Sequence, residues 1–324
     1  MTTRRHFVAL ALGTGLGAAF PLRTSAQAWP GKFVRVVVPF PAGAPPDVGS
    51  RIIGKRLSDL WGQQVLVENR PGAGGNIGTA AVARASPDGY TVLMAAFTHA
   101  VNPFLYGSTG YDPVADFEPV TLVSEQPCVM IVPNASPAHS VADFVALAKS
   151  SKRTLTFASA GHGTSPHLCG ELFKRRTGIE MVHVPFTVGA QQDLMAGRID
   201  VMFAVGASGI SLGLSGHARA LAVTTIKRVA AAPQVPTLAE SGLPGFDVAP
   251  WWGLFVPART SASIISKINA DTVAALADPA IRDKLESLGS TPVGSTPSEL
   301  ARYLKNEMAK WGPVIRDAGI TIEG

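Results

Sequence analysis

The sequence predicts an α/β fold made of two α/β domains around a central cleft. Short runs rich in β-branched residues alternate with stretches in which apolar residues recur every three or four positions. This alternation is typical of a parallel sheet covered by helices on both faces. It occurs in two blocks, before and after residues 124–128, and a mostly helical segment follows. A cleft between two such domains is a favoured position for a small ligand.

The first 28 residues have the features of an export signal. Arg4 and Arg5 precede an apolar, glycine-rich stretch, and Ala-Gln-Ala at 26–28 has the small-x-small form of a cleavage site. The paired arginines also fit a twin-arginine signal, so both Sec and twin-arginine export stay open. The alternative is a buried N-terminal helix. We expect a mature chain that begins near Trp29 and works outside the cytoplasm.

The first block predicts a strand, a helix and then a repeat of the same pattern. Its elements are strands at 33–40, 64–68 and 90–96 and helices at 47–61 and 76–85. Asp47 is expected to cap the first helix, because Pro41, Pro45 and Pro46 should keep that helix from starting earlier.

The second block and the tail follow the same rules. The predicted elements are strands at 154–158, 181–184, 199–205 and 218–225, a helix at 165–177, and tail helices at 262–276, 279–288 and 297–318. Thr296 and Glu299 predict a capping box at the last helix. The chain is expected to cross between blocks near 124–128 and again near 246–258. The predicted domains are therefore 29–126 with 249–324, and 127–248.

Charge and motifs exclude several classes of protein. Loss of Arg4, Arg5 and Arg23 with the export signal leaves 25 basic and 23 acidic side chains, a net charge of +2. That charge is too small for a nucleic-acid-binding protein, which should carry a basic stripe. The glycines of "GAGGNIG" at 72–78 do not have dinucleotide spacing, and there is no Walker motif. His99, His162, His167 and His183 are scattered without metal-site spacing. A metal shared by His162 and His167 is the alternative; we expect no metal and no cofactor.

Two chemical alternatives remain open at this point. Cys128 and Cys169 could form a disulfide outside the cytoplasm, although both lie in apolar stretches where a cysteine is usually a small buried side chain. A hydrolase or lyase could use Ser159 or Cys169 with a nearby histidine. The sequence has no G-x-S-x-G motif and no acid obviously placed to orient His162, so we expect no catalytic residues.

Three loops share a composition suited to binding an anion. Residues 41–47, 97–102 and 159–166 each follow a predicted strand and offer Gly, Ala, Ser or Thr near a helix start, without Lys or Arg. Ligands of open α/β sheets bind beyond the carboxyl ends of strands, and backbone amides at helix starts favour anions. The alternative is that their Gly and Pro serve only the turns. Three similar loops favour a site for a carboxylate held by uncharged donors.

The chain also resembles the solute receptors of the tripartite tricarboxylate transporter system, called the Bug family. The stretches that carry this resemblance span nearly the whole mature chain. They are "VPFPAGAPPD" at 38–47, "VENRPGAGGNIG" at 67–78, "PDGYTVLM" at 87–94, "YDPVADFEPVT" at 111–121, "HLCGELFKRRTG" at 167–178, "HVPF" at 183–186, "LAVTT" at 221–225, "VPTLAESGLPGF" at 235–246 and "KNEMAKWGPVI" at 305–315.

The resemblance implies a type II periplasmic-binding-protein fold, a monomer in the periplasm that closes around a ligand and passes it to a membrane permease. The implied ligands are dicarboxylates, tricarboxylates, acidic amino acids or aromatic acids. The implied ligand-binding residues are Phe40, Ala42, Gly43, Ala44, Thr98, His99, Ser159, His162, Gly163, Thr164, Ser165, Phe186 and Thr187. A receptor that presents its ligand to a sensor protein would have the same site and stays an alternative.

Two departures from the family pattern bear on the ligand. Ala44 or Ala42 stands beside Gly43 where a glycine pair is usual. The extra methyl group restricts the backbone φ angle and narrows the pocket. In "VPFTVGA" at 184–190, Phe186 lacks a tyrosine hydroxyl and Thr187 lacks a positive charge. A more apolar pocket would follow, which favours an aromatic or otherwise less charged acid.

Overall fold

The computed structural model describes residues 29–186 and 188–322. The predicted export signal at 1–28 and the predicted ligand residue Thr187 lie outside these residues. Within them, the chain forms two β-sheets against which helices pack, so the predicted α/β fold is confirmed. No helix in this part of the chain is both long enough and apolar enough to cross a membrane.

The strands and helices alternate through most of the described chain. In chain order the strands are β1 (Val34–Val38), β2 (Val65–Asn69), β3 (Thr91–Ala96), β4 (Phe117–Glu125), β5 (Cys128–Pro133), β6 (Leu155–Ser159), β7 (Met181–Pro185), β8 (Val201–Val205), β9 (Ala218–Val223), β10 (Trp251–Pro257) and β11 (Thr291–Pro292). The helices are α1 (Pro45–Trp61), α2 (Asn76–Ala83), α3 (Thr98–Leu105), α4 (Val141–Ser150), α5 (Ser165–Thr177), α6 (Ala190–Met195), α7 (Gly206–Leu214), α8 (Ala262–Ala277), α9 (Pro279–Ser287) and α10 (Pro297–Asp317).

Both sheets are mixed rather than purely parallel. The six-stranded sheet has the order β11-β4-β10-β3-β1-β2, and the five-stranded sheet has the order β7-β6-β8-β5-β9. β1 pairs in parallel with β2 and β3, and β6 pairs in parallel with β7 and β8. β10 and β5 run antiparallel to their neighbours. The alternation of strands and helices predicted only parallel pairing. It carries no information on the direction of β5 and β10, each of which enters its sheet after the chain crosses from the other sheet.

The two crossings place the carboxyl ends of the parallel strands between the sheets. The chain passes from the first sheet to the second between β4 and β5, and returns between β9 and β10. Directly after the return, Trp252 of β10 pairs with Ala96 at the end of β3. Directly after the first crossing, Cys128 of β5 pairs with Val205 at the end of β8. The strand ends of both sheets therefore face the gap between them. We call each sheet with its helices a lobe, the first lobe containing β1.

The apolar core is continuous between the lobes on one side. One buried cluster joins α3 and α10 of the first lobe to α5 of the second. Its large members include Phe97, Leu105, Trp311, Leu168 and Phe173. Each such side chain contributes roughly 1.5–3 kcal/mol when fully buried. Arg175 of α5 and Asp317 of α10 add an ion pair at 2.7 Å. On the other side of the sheets, each lobe keeps a separate core.

Two local predictions are corrected by the structure. α1 begins at Pro45 with Ala44 as its N-cap, so Asp47 lies in the first turn rather than at the cap. Proline is tolerated there because its missing N–H has no partner at a helix start in any case. Residues 97–102, predicted as a loop, contain the start of α3.

Other local predictions hold. The capping box at α10 is confirmed, with Thr296 accepting the N–H of Glu299 and Glu299 accepting the N–H of Thr296. Cys128 and Cys169 are buried and carry free thiols. Burial first, and then the neighbouring Cys128 thiol, raises the pKa of Cys169, so it is a poor nucleophile.

Candidate functional site

The loop between β1 and α1 is closed by hydrogen bonds to one buried carboxylate. Asp47 Oδ2 accepts the N–H of Gly43 at 2.8 Å, and Oδ1 accepts from Asn69 at 2.9 Å and from Arg51 at 3.0 Å. Asn69 also donates to the carbonyl of Phe40 at 3.1 Å. Burial alone would raise the pKa of Asp47, but the hydrogen bonds from Arg51, Gly43 and Asn69 lower it. The amide of Gly43, predicted to bind the ligand, is thus engaged by the protein itself.

Few other amides of this loop are left for a ligand. The N–H of Ala44 donates to the carbonyl of Pro41 at 3.2 Å. Pro45 and Pro46 have no N–H, so the start of α1 offers less to an anion than most helix starts do. Among the described residues, the N–H of Ala42 has no protein acceptor, and Ala42 is exposed. It is the amide of this loop best placed for a ligand.

α3 carries two predicted ligand residues in different environments. Thr98 begins the helix and is half-buried, and no hydrogen bond of its hydroxyl is seen within the described chain. His99 is only 2% exposed, and its Nε2 lies 3.0 Å from the carbonyl of Pro113. The rings that surround it are Tyr111, Phe117 and Phe255. Burial lowers the pKa of His99 to about 4. The side chain of His99 therefore lies in the core of the first lobe, which differs from the position predicted for it.

Residues 159–165 connect β6 to α5 in the second lobe, and we call them the 159–165 loop. Gly161 has φ 121° and Gly163 has φ 71°, a region that side chains rarely adopt. Ser159 Oγ accepts the N–H of Gly161 at 3.1 Å and lies 2.6 Å from Nε2 of His183. These bonds fix the beginning of the loop to the edge strand β7.

The end of the loop is fixed as well, and this decides which groups a ligand can reach. The N–H of Gly163 donates to Nδ1 of His167 at 3.0 Å. Ser159 is fully buried, so its hydroxyl does not face the gap. His162 is exposed, and the hydroxyl of the half-buried Ser165 has no hydrogen-bond partner within the described chain. His162 and Ser165 are the accessible polar side chains here.

Thr164 completes the turn into α5. Its hydroxyl donates to the carbonyl of Gly161 at 2.7 Å, so it stabilises the loop instead of capping the helix. The start of α5 therefore has no side-chain cap. Pro166 in its first turn has no N–H, so the amides that remain there, together with the positive end of the helix dipole, are what can attract an anion.

Three histidines meet beneath and beside this loop. Nitrogen atoms of His162, His167 and His183 lie within 4.8 Å of one another. The rings of His167 and His183 stack with centroids 3.7 Å apart, and His162 meets both edge-on. Burial, then the two other histidines and Lys174, lower the pKa of His167 to about 3. Burial, His162 and Lys174 lower the pKa of His183 to about 4. These two imidazoles are neutral near pH 7.

The 159–165 loop also contacts the first lobe. A Cβ added to Gly163 would lie 2.7 Å from Leu105 of α3 and 2.9 Å from Ile322. The N–H of Ile322 donates to the carbonyl of Leu105 at 2.9 Å, which holds this end of the chain against α3. α3 thus has Thr98 at one end and the second-lobe loop at the other. The structure brings the 159–165 loop to α3. Within the described chain, no hydrogen bond joins it to residues 39–44, the loop between β1 and α1.

The two predicted aromatic ligand residues lie in different lobes. Phe40 is half-buried against the core of the first lobe. Phe186 is half-buried against the separate core of the second lobe, and its N–H donates to the carbonyl of Ser159 at 3.0 Å.

A cavity of about 670 Å³ lies elsewhere, beside the crossing segments. It is lined by residues from both lobes, including 125–127, 225–231 and 289–291. None of the predicted ligand residues lines it.

Sequence reasoning did not assign a role to His183, Leu105 or Ile322, and it gave His167 only the alternative of a metal shared with His162. For His183, the sequence of β7 offered a signal. Side chains of a strand alternate between two faces, and Met181 and His183 lie on the face that α5 covers. The contacts of Leu105 and Ile322 with Gly163 join distant parts of the chain and leave no local pattern.

Comparison with known proteins identifies relatives over most of the chain. Residues 50–320 match the family model described as "Tripartite tricarboxylate transporter family receptor". The protein BugT of Bordetella pertussis is 33% identical over 311 residues, which cover 95% of this chain and 95% of BugT.

Solved structures of similar proteins contain carboxylates. Rpa4515 of R. palustris with adipate is 36% identical, with a TM-score of 0.78 over 91% of this chain and 100% of that chain. MatC (Rpa3494) of Rhodopseudomonas palustris with bound malate is 32% identical, with a TM-score of 0.74 over 89% of this chain and 100% of that chain.

Replacing His99 should change how stability depends on pH. Its folded-state pKa is lowered from 6.5 to about 4, so below pH ~6.5 the unfolded chain takes up a proton that the folded protein excludes. The contribution of neutral His99 is complete above that pH and is lost as the pH falls toward about 4. His99→Phe, which suits the surrounding rings, should make the loss of unfolding free energy between pH 7 and 5 smaller by about 2 kcal/mol. Urea unfolding at each pH measures this.

The exposed His217 supplies the matched control. The effect of His99→Phe on the pH dependence should clearly exceed that of His217→Gln, because His99 is buried and His217 is exposed. An equal pH dependence in wild type and His99→Phe would contradict the assignment of His99 to the core.

Proposed function

Because the chain belongs to the tripartite tricarboxylate transporter receptor family, the Bug family, we propose that it binds a small organic carboxylate between its lobes and delivers it to a membrane permease. The fold is that of the type II periplasmic binding proteins of this family. The adipate and malate in two similar structures support the choice of ligand class.

One observation carries the proposal for this chain. The 159–165 loop opens an uncapped helix start, contacts the first lobe through Gly163, and has no Lys or Arg. Uncharged donors at a helix start can hold a carboxylate without the desolvation cost of burying a second, positive charge. The accessible donors are the hydroxyls of Thr98 and Ser165, the imidazole of His162 and the amide of Ala42.

The lobes supply a way to enclose and release the ligand. We propose that 29–126 with 249–324 and 127–248 move as two bodies about the crossing segments. Contacts made only in the closed form favour closure, so the ligand must bind groups of both lobes to shift that equilibrium. Thr98 and Ala42 belong to the first lobe, and His162 and Ser165 to the second. Phe40 and Phe186 would flank the ligand with apolar surface, and Thr187 keeps its predicted role there.

The two rival functions are an enzyme and a receptor for a sensor protein. The relatives are solute-binding receptors, so the chain is not assigned to hydrolases or lyases. A receptor that presents its ligand to a sensor protein would use the same site. The transport system of the family supports the permease as the partner. We propose that the receptor acts as a periplasmic monomer and is exported by the Sec or twin-arginine route.

Carboxylates should stabilise the mature protein, and other small solutes should not. A ligand present at about 100 times its dissociation constant adds about 2.7 kcal/mol to the free energy of unfolding. A thermal-shift panel of adipate, malate, citrate and benzoate should therefore contain at least one acid that raises the melting temperature. Glucose and putrescine serve as controls and should leave it unchanged. Flat curves for every acid would count against the proposal.

Gly163→Ala should weaken carboxylate binding by opening the contact between the lobes. The added methyl would meet Leu105 and Ile322 at under 3.0 Å, and overpacking of this contact between the lobes would cost about 1–3 kcal/mol. We expect affinity for the acid found by thermal shift to fall at least about tenfold, measured by calorimetry.

Gly161→Ala is the control for backbone strain. Gly161 also has a positive φ, but a Cβ there would meet nothing within 4 Å. This variant should keep more of the wild-type affinity. Equal losses in the two variants would attribute the effect to strain in the loop and not to the contact between lobes.

A further inference from the structure

Two histidines that were not predicted to act in the site fix the two glycines of the 159–165 loop. His183 Nε2 lies 2.6 Å from Ser159 Oγ, which accepts the N–H of Gly161. His167 Nδ1 accepts the N–H of Gly163 directly at 3.0 Å. The conformation of the loop therefore depends on side chains of α5 and β7 that lie behind it.

The hydrogen bond from Gly163 sets the protonation of His167. Nδ1 can accept an N–H only when it carries no proton, so Nε2 carries the proton of the neutral ring. Nε2 lies 4.0 Å from Oε1 of Glu171, which Lys174 holds at 3.2 Å. A second proton, on Nδ1, would place an N–H against the N–H of Gly163. The lowered pKa of His167 keeps that state unpopulated near neutral pH.

The surrounding rings hold His167 in this orientation. His167 is 3% exposed, stacks on His183 with an interplanar angle of 15°, and both rings stack near Phe157. The same stacking makes these rings unsuited to a shared metal ion. The nitrogen lone pairs of nearly parallel stacked rings run side by side instead of converging, and Nδ1 of His167 is already engaged.

Gly163 links this hydrogen bond to the ligand site. It contacts Leu105 and Ile322 in the first lobe, and its neighbour His162 is the exposed side chain of the loop. Release of the Gly163 amide would free a segment with two glycines. A ligand would then have to order that segment on binding, which weakens affinity.

We propose that His167 is a positioning residue of the ligand site: its neutral Nδ1 fixes the amide of Gly163 and thereby holds the 159–165 loop in the shape that receives the ligand. The inference rests on the proposed carboxylate binding for its effect on affinity. Its effect on the loop is measurable without any ligand.

The test compares wild type with two variants of opposite design. His167→Asn places an amide oxygen close to the position of Nδ1 and keeps an acceptor for Gly163. His167→Phe keeps an aromatic ring in the stack and removes the acceptor. Amide hydrogen exchange of Gly163 is followed by NMR, and the affinity for adipate is measured by calorimetry on the same proteins.

We expect slow exchange of Gly163 in wild type and His167→Asn, and exchange at least about tenfold faster in His167→Phe, because loss of a buried acceptor costs ~1–3 kcal/mol. Adipate affinity should fall about tenfold in His167→Phe and less than about threefold in His167→Asn. Equal losses in the two variants would overturn the proposal, because His167→Asn keeps the acceptor for Gly163 and His167→Phe does not. Unchanged exchange and affinity in His167→Phe would overturn it as well.

A second measurement covers the case in which a variant does not fold. In wild type, Gly163 should exchange far more slowly than Ala42, the loop amide without a protein acceptor. Equally fast exchange of the two amides would overturn the proposal. If no acid of the thermal-shift panel binds wild type while Gly163 is still protected, that result would instead weigh against the proposed carboxylate function, because the loop would be fixed as described.

Discussion

The antiparallel pairing of the strands that follow each crossing is the constraint on which the rest of the structure depends. β10 pairs beside the end of β3, and β5 pairs beside the end of β8, so both crossings lie at the carboxyl edges of their sheets. Because parallel neighbours run the same way, every loop that follows β1, β3 and β6 opens toward the gap between the lobes. A crossing at the other edge would have put the same loops on the outer ends of the molecule.

The loops that follow β1, β3 and β6 carry no Lys or Arg, and this has a physical consequence. Asp47 is buried, keeps a low pKa through three hydrogen bonds, and uses the Gly43 amide for itself. The Gly43 amide thereby makes the loop rigid and is not available to a ligand, whereas the Ala42 amide is. In the second lobe, His167 and the Ser159 hydroxyl take the amides of the two glycines in the same manner. Rigid loops with a few remaining donors bind an anion reversibly, since little ordering accompanies binding.

Much of this organisation was predictable because it is local. Periodicity gave the alternating strands and helices, and the capping box gave the start of α10 at Pro297. The family motifs gave the ligand class. The roles of Asp47 and His99 were not predictable in this way. Asp47 has its partners at Asn69 and in the loop before it, and His99 is placed by Phe117 and Phe255, which are remote in sequence. The stacking of His167 on His183 likewise arises only when α5 packs on β7.

A crystal structure of the mature protein with a bound carboxylate, adipate in the first instance, tests the central claim most directly. The account predicts carboxylate oxygens within hydrogen-bond distance of uncharged donors from both lobes, with Thr98 and Ala42 on one side and Ser165 and His162 on the other. A carboxylate held by Lys or Arg, or seated in the cavity beside the crossing segments, would contradict it.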